Sequence, residues 1–277
     1  MMVEGQLFGE QYLSAGGSVR LLQITDTHLM GDSGGRLLNV DTDESLAAVV
    51  ALAAQGPQAD ALLITGDIAG DGASAAYERL DAALKPLQAP SFWLPGNHDD
   101  RPSDVGKLRE RFLRKVRFPH WDVLMLNSQL PGAVEGSLTE LELALLDAAV
   151  TEANAEGKHL LVAVHHPLWP LGSAWLDAQR IAETEAFMAV LARLRQIGLV
   201  ISGHVHQASD AIHEGRRFLT TPSTCIQFAR GSERFKIDEA APGYRWLTLH
   251  PNGQVETGVE RVSDVVFVVD MNSNGYL

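Results

Sequence analysis

Five short apolar runs constrain this chain more than any other feature, because each ends in a turn carrying carboxylate, amide or imidazole groups. Leu21-Leu22-Gln23-Ile24-Thr25 runs into Asp26-Thr27-His28, and Ala61-Leu62-Leu63-Ile64-Thr65 into Gly66-Asp67. Phe92-Trp93-Leu94 passes through Pro95 into Gly96-Asn97-His98-Asp99. Leu160-Leu161-Val162-Ala163-Val164 runs into His165-His166-Pro167, and Leu199-Val200-Ile201-Ser202 into Gly203-His204-Val205-His206. Apolar runs of this length bounded by turn signals read as buried strands. Gly96 reads as the residue that lets the backbone turn sharply after its strand.

Helical stretches separate the strands. Glu44–Gln55 follows a cap at Asp41 or Thr42. Ala73–Lys85 is stopped by Pro86, and Asp104–Leu113 is basic on one face. Ser137-Leu138-Thr139-Glu140 has capping-box spacing and opens a helix to about Ala155. A last helix covers 182–196. After His206 only strands are expected: a hairpin of 211–215 and 217–221, then 224–228, 244–250 and 255–262. The alternation implies βαβ units in a single α/β domain over 1–277, with 1–17 a lead-in and 265–277 a peripheral tail, frayed from Met271. Ligands of such sheets gather at the carboxyl ends of the strands, which brings Asp26, Asp67, Asn97, His165 and His204 together. In extended backbone the pairs Asp26/His28 and His204/His206 each point to one side.

A formal charge of −13 argues against a nucleic-acid partner, since phosphate backbones want Lys and Arg. It leaves room for a small phosphate ester, because bound metal ions reverse the local sign. The single cysteine, Cys225, excludes an internal disulfide and reads as a core residue. Residues 1–18 lack a signal pattern, and the longest strictly apolar run, Leu46–Ala54, is far short of the roughly 20 residues of a spanning helix. The expectation is a soluble cytoplasmic protein with no membrane partner; the oligomeric state is not legible.

Seven ligands, Asp26, His28, Asp67, Asn97, His165, His204 and His206, are too many for one tetrahedral zinc. They suit two metal ions sharing a carboxylate, for which Asp67 is the candidate because it has two oxygens to divide. Nitrogen and oxygen donors without thiolate favour iron, manganese, zinc or cobalt. Two such ions about 3.5–4 Å apart clamp an in-line displacement at phosphorus. His98 is not needed as a ligand and is placed to donate to the leaving oxygen. His166 reads as supporting its neighbour or facing solvent, and His120, His159, His213 and His250 as surface residues. Asp71 reads as a helix cap or a prop behind the ligands, the cap being favoured, and Asp99 and Asp100 as turn residues or props behind the ligands. No GxxxxGK[ST], HExxH or GxSxG motif is present.

Asp26-x-His28, Gly66-Asp67, Gly96-Asn97-His98-Asp99, His165 and Gly203-His204-x-His206, in that order, resemble the calcineurin-like metallophosphoesterases. The resemblance implies a four-layer α/β/β/α sandwich with two facing mixed sheets. It implies one metal on Asp26, His28, Asp67 and His206, and another on Asp67, Asn97, His165 and His204. Ser74–Tyr77, Trp93–Asp99, Ser173–Asp177, Thr221–Phe228 and Ala241–Arg245 are similar to the bacterial class III cyclic-AMP phosphodiesterases. That likeness implies hydrolysis of 3′,5′-cyclic AMP to 5′-AMP in the cytosol with iron or manganese. A metal-bridging hydroxide would attack phosphorus in line, opposite the 3′ oxygen. His28, Asp67, Asn97, His98, His165 and His206 would surround the substrate, with Asn97 and His98 catalytic. Trp169, Trp175 and Phe228 are candidate walls for the adenine. The alternatives are a broad-specificity phosphodiesterase or phosphomonoesterase, and a non-catalytic metal- or cyclic-nucleotide-binding regulator. The last is expected to have lost a ligand or His98, and neither is lost.

Overall fold

The central strands are apolar on both faces: Leu21, Leu63 and Phe92 turn one way, Leu22, Ile64 and Trp93 the other, and all are buried. A sheet built from them must be covered twice. The computed structural model describes residues 9–99 and 106–275 and shows how. In chain order the elements are β1 (Glu10–Tyr12), β2 (Val19–Ile24), β3 (Arg36–Leu37), β4 (Val40–Asp41), α1 (Thr42–Ala54), β5 (Ala61–Thr65), α2 (Ser74–Ala83) and β6 (Ser91–Leu94). Next come β7 (Lys115–Arg117), β8 (Trp121–Leu126), α3 (Glu140–Glu156), β9 (His159–Val164), α4 (Ala174–Asp177), α5 (Glu185–Leu191) and β10 (Gly198–Ser202). Strands β11 (Ser209–His213), β12 (Arg216–Thr220), β13 (Gln227–Phe228), β14 (Ile237–Asp238), β15 (Gly243–Leu249) and β16 (Val255–Arg261) complete the chain.

The larger sheet has the order β1-β7-β8-β9-β10-β12-β11 and the smaller β16-β15-β2-β5-β6. Each mixes parallel and antiparallel pairs. Leu21, Leu63 and Phe92 meet Val123, Leu161 and Ile201 between the sheets. Helices α1 and α2 cover Leu22, Ile64 and Trp93 on one outside, and α3 and α5 cover Leu124, Val162 and Val200 on the other. This is the α/β/β/α sandwich the resemblance implied. Gln23 ties the two sheets just beneath their carboxyl edge: its amide donates to Thr65 Oγ1 (2.9 Å) and Ser202 O (3.1 Å) and accepts from Thr221 Oγ1.

Several element boundaries differ from the sequence reading, each for a local reason. Pro86 does not stop α2, which ends three residues earlier; it sits inside a 3-10 turn, Lys85–Leu87. Of the expected 104–113 helix the described part is a 3-10 turn, Gly106–Arg111, too short to propagate. Helix α5 closes early because Arg193 and Leu194 bond back three residues, to Val190 and Leu191. The 224–228 strand shrinks to Gln227–Phe228 because the backbone before it is engaged elsewhere: Thr224 N donates to Thr25 O (3.3 Å), and Ile226 O accepts from His206. In the lead-in, Glu10–Tyr12 form an edge strand parallel to β7.

The cap of α3 is Thr139, whose hydroxyl accepts from Glu142 N (3.3 Å). The spacing thus holds two residues later than the Ser137 reading. The Glu142 carboxylate does not close a box; it accepts from Asn127 N and Arg114. Thr139→Ala is expected to cost about 1 kcal/mol in urea unfolding, the usual loss for such a cap, with activity unchanged.

Candidate metal centre

The sites grow from the carboxyl ends of parallel strands in both sheets. Asp26 and His28 follow β2, Asp67 follows β5, and Asn97 and His98 follow β6; His165 follows β9, and His204 and His206 follow β10. Asp26, His28, Asp67, His204 and His206 have positive φ, between 44° and 65°. Five of the seven expected ligands therefore sit in left-handed backbone, which non-glycine residues adopt at a cost of order 1–3 kcal/mol each. The i, i+2 pairs do converge, but through these left-handed turns and not through the extended backbone expected from the spacing. Gly96 also differs from expectation. It is not in the left-handed region; a Cβ there would overlap the Asp67 carboxylate and lie 2.7 Å from His165 Cε1. Gly203 answers the same need, since a Cβ would run into Thr25 Oγ1 and lie 2.7 Å from Asp26 Oδ2.

All seven expected ligands meet in one buried cluster. His206 Nε2 lies 3.2 Å from His28 Nε2 and 3.4 Å from Asp26 Oδ1. Asp67 Oδ2 faces both His165 Nε2 (3.3 Å) and His28 Nε2 (3.8 Å). A single oxygen thus stands at the junction; Oδ1 is taken by the His98 backbone N–H (2.9 Å). Asn97 Oδ1 lies 3.2 Å from His165 Nε2 and 3.1 Å from His204 Nδ1. Four overlapping groups of three, Asp26/His28/His206, Asp26/Asp67/His165, His28/Asp67/His98 and His165/His166/His204, have ligand atoms within 4.8 Å of one another.

Carbonyl groups behind the imidazoles fix which nitrogen faces inward. His165 Nδ1 donates to Thr65 O (2.8 Å), His206 Nδ1 to Ile226 O (2.9 Å) and His204 Nε2 to Gln179 Oε1 (3.1 Å). Such partners set the tautomer of a metal-binding histidine. Burial, reinforced by His166 and His165, holds the His204 pKa well below the usual value, so its ring is neutral. Its bare Nδ1 then faces the Asn97 oxygen at 3.1 Å, two lone pairs with no proton between them. A cation resolves that arrangement, and nitrogen and oxygen donors in this ratio suit a borderline transition metal.

Burial alone would raise the Asp67 pKa, but the charge and hydrogen bond of His165, with His98 and His28, hold it well below the carboxylate range. Burial likewise opposes charge on His165, yet Asp67 prevails and lifts it to about 9. In the metal-free protein these two form a buried ion pair. His28 goes the other way: burial, with His98 and His206 adding to it, keeps it well below its usual value against the pull of Asp67.

Asp99 is the main prop that the sequence left undecided. Oδ1 accepts from Ile68 N (3.0 Å), Ala69 N (2.9 Å) and Tyr77 OH (2.8 Å), and Oδ2 from Gly96 N (2.8 Å). It thereby locks the Asp67 turn to the Asn97 turn; burial and then Asp67 raise its pKa to about 6. Asp100 lies outside the described residues. Gln179, Thr65 and Ile226, whose carbonyl oxygens accept from the ring N–H groups, were missed, because nothing in a linear pattern marks them. His166 does not face solvent. It is buried, its Nδ1 meets Ser128 Oγ (2.8 Å) and its Nε2 donates to Val134 O (3.0 Å), and burial lowers its pKa to about 3. His159 is no surface residue either: it is buried, 4.9 Å from the Trp121 ring and bonded to Pro251 O. Asp71 joins Gly31 N to Ala73 N and does not cap α2. Cys225 is in the core as expected.

A cavity of about 490 Å³ opens on the centre, bordered by Asn97, His98 and His204, by Trp175, Phe228 and Phe235, and by the 132–134 loop. Its size is that of a small-molecule site, roughly 300–1,000 Å³. Trp175 and Phe228 line it, whereas Trp169 lies elsewhere, stacked on His213 at 4.2 Å beside a separate cavity. Phe228 also lies flat on His206 at 4.3 Å and so braces an expected ligand.

The sequence profile of the calcineurin-like phosphoesterases matches residues 19–208, which span every residue of the cluster. The chain belongs to this family. Within it, the chain is 42% identical over 265 residues to the 3′,5′-cyclic adenosine monophosphate phosphodiesterase CpdA of Pseudomonas aeruginosa, covering 94% of this chain and 96% of that protein. To the CpdA of Escherichia coli K12 it is 38% identical over 93% of this chain and 95% of that one. Among solved structures, a dimetal phosphatase from Danio rerio superposes with a TM-score of 0.59 at 17% identity, over 88% of this chain and 99% of that one, a likeness of fold. The phosphoesterase family profile ends just after His206, so β11 to β16 and the segment beyond, including the Phe228 and Phe235 wall, lie outside it. No helix among the described residues is long and apolar enough to cross a membrane.

Proposed function

We propose that this chain is a cytoplasmic enzyme that hydrolyses 3′,5′-cyclic AMP to 5′-AMP, using two transition-metal ions, iron or manganese. Supporting the reading is the complete donor cluster beneath a mononucleotide-sized cavity, in a chain similar along nearly its whole length to cyclic-AMP phosphodiesterases. In this reading Asp26, His28, Asp67 and His206 hold one ion, and Asp67, Asn97, His165 and His204 the other. When bound, such a pair supplies Lewis acidity at phosphorus and an acidified water at neutral pH.

The chain's own residues do the rest. His28, Asp67, Asn97, His165 and His206 surround the phosphate position, and Trp175 and Phe228 flank the base. His98 is oriented by its backbone N–H on Asp67 and by Nδ1 toward Gly70 O (3.3 Å). Water delivers its oxygen to phosphorus and gives up a proton to solvent, the bond to the 3′ oxygen breaks, and that oxygen takes a proton from His98, which regains one from solvent. The 5′ ester bond is kept, which gives 5′-AMP.

His165 carries a proton up to about pH 9 in the metal-free protein, and ligation displaces it. Apparent metal affinity should therefore rise with pH, by about tenfold per unit between pH 7 and 9, and then flatten. Competition with a chromophoric chelator measures this. A flat profile would remove His165 from the ligand set.

Product analysis tests the activity. Manganese- or iron-loaded protein is incubated with 3′,5′-cyclic AMP and, separately, with a generic aryl phosphodiester at equal concentration. Formation of 5′-AMP at a rate comparable to or above the aryl ester is expected. Rapid aryl turnover with cyclic AMP untouched would leave a phosphodiesterase of another substrate class.

A further inference from the structure

Strand β15 runs antiparallel to β2, and β16 antiparallel to β15, so β16 ends at Arg261 on the edge that carries Asp26 and Asp67. The chain leaves the sheet there and stays on that edge. Phe267 and Val269 pack into the small apolar cluster that also contains Leu176, Ile226 and Phe228. Asp270 N donates to Leu38 O (2.9 Å), and Asn39 Nδ2 donates to Val268 O (3.1 Å). Leu38 and Asn39 are the left-handed turn (φ 45° and 75°) between β3 and β4, so a rigid hairpin grips the segment at two points. Beyond it the chain bends: Asn272 N donates to Asp270 Oδ1 (3.0 Å), and Ser273 and Gly275 are bonded to each other. The bend carries Gly275 to the rim of the cavity that Asn97 and His98 border.

We propose that residues 271–275, gripped through Asn39 and Leu38, form the outer wall of the substrate cavity and limit the size of the phosphodiester it admits. A cyclic mononucleotide is accommodated; a dinucleotide, whose second nucleoside extends past the phosphate, meets this wall. The proposal rests on the phosphodiesterase reading above. Phe267 and Val269 hold the strap to the cavity's own aromatic wall, so the barrier is built from the same packed unit as the base site.

Two variants test it in the otherwise unaltered chain: deletion of Met271–Leu277, and Asn39→Gly, which keeps the backbone conformation but removes the amide that holds Val268. In the deletion, KM for cyclic AMP should rise about threefold or more with kcat within about twofold, the signature of lost binding that ground state and transition state share. The rate on a 3′,5′-linked diadenosine relative to cyclic AMP should rise about tenfold or more, as expected when a steric exclusion is lifted. Asn39→Gly should move both quantities the same way by less. Metal content should not change, and if the deletion lowers it, Asn39→Gly decides. Unchanged KM and unchanged diadenosine selectivity in the variants would overturn the wall. A parallel series of methyl, phenyl and thymidine 5′-esters of 4-nitrophenyl phosphate reads the size limit without cyclic AMP. Failure of cyclic-AMP hydrolysis alone would thus count against the substrate assignment and not against the wall.

Discussion

Asp67→Asn is expected to leave the protein unable to hold its metals and to lower turnover by at least about 10³-fold, beyond the 10–100-fold that outer partners of a metal site usually cost. Oδ2 of Asp67 faces both His28 and His165, and Asp67 stands in both proposed ligand sets. Asparagine keeps the shape and the acceptor for His98 N but removes the charge. It also removes the largest influence that keeps His165 protonated, so in the metal-free variant the His165 pKa should fall from about 9, with only Asp26 and the Thr65 carbonyl left to oppose burial. Metal analysis after loading, together with an NMR titration of His165, checks both halves. Retention of two ions per chain with a normal rate would show that the junction is not at Asp67.

His98→Ala separates the acid from the ligands. Metal content should stay near that of the parent, because His98 is no member of either proposed ligand set. Turnover of cyclic AMP should fall by about 10²–10⁴-fold, the usual range for a positioned general acid. The loss should shrink to a few-fold for an aryl diester, since 4-nitrophenolate leaves without a proton, whereas a ribose 3′ oxygen does not. Equal losses on both substrates would assign His98 to holding the phosphate instead. Loss of metal would make it a ligand, a role its place in the His28/Asp67/His98 group allows geometrically.

The order of strands and the donors at their ends were legible because both follow from local chemistry: apolar runs make strands, and the turns after them must carry what the site needs. What was not legible depends on three-dimensional crowding. Gly96 and Gly203 look like turn residues in the sequence, yet each is there because a neighbour's side chain occupies the space of a Cβ. Asp99 looks like any turn aspartate until Ile68, Ala69, Gly96 and Tyr77 are seen to converge on it. Trp169 and Trp175 are six residues apart in one Pro- and Gly-rich stretch of sequence, and only the fold separates them into different cavities. The capping spacing at Ser137 and at Thr139 is equally good on paper; the helix starts at the second because Glu142 N meets the Thr139 hydroxyl.

His28 and His206 touch across a sequence separation of 178 residues, and they arrive from opposite sheets. Closing so long a loop comes late, since its entropy must be met before the contact returns anything. A chain growing from its N-terminus has Asp26, His28, Asp67 and Asn97 in hand long before His204 and His206 exist. Those early donors all belong to one sheet and supply three of the four ligands of one proposed set and two of the four of the other. The centre is therefore a record of docking: a tightly bound ion reports that β9 and β10 of the second sheet have met the first. Pulse-labelled nascent chains released before and after residue 206 should differ abruptly in metal retention, with little gained at the earlier ligand blocks.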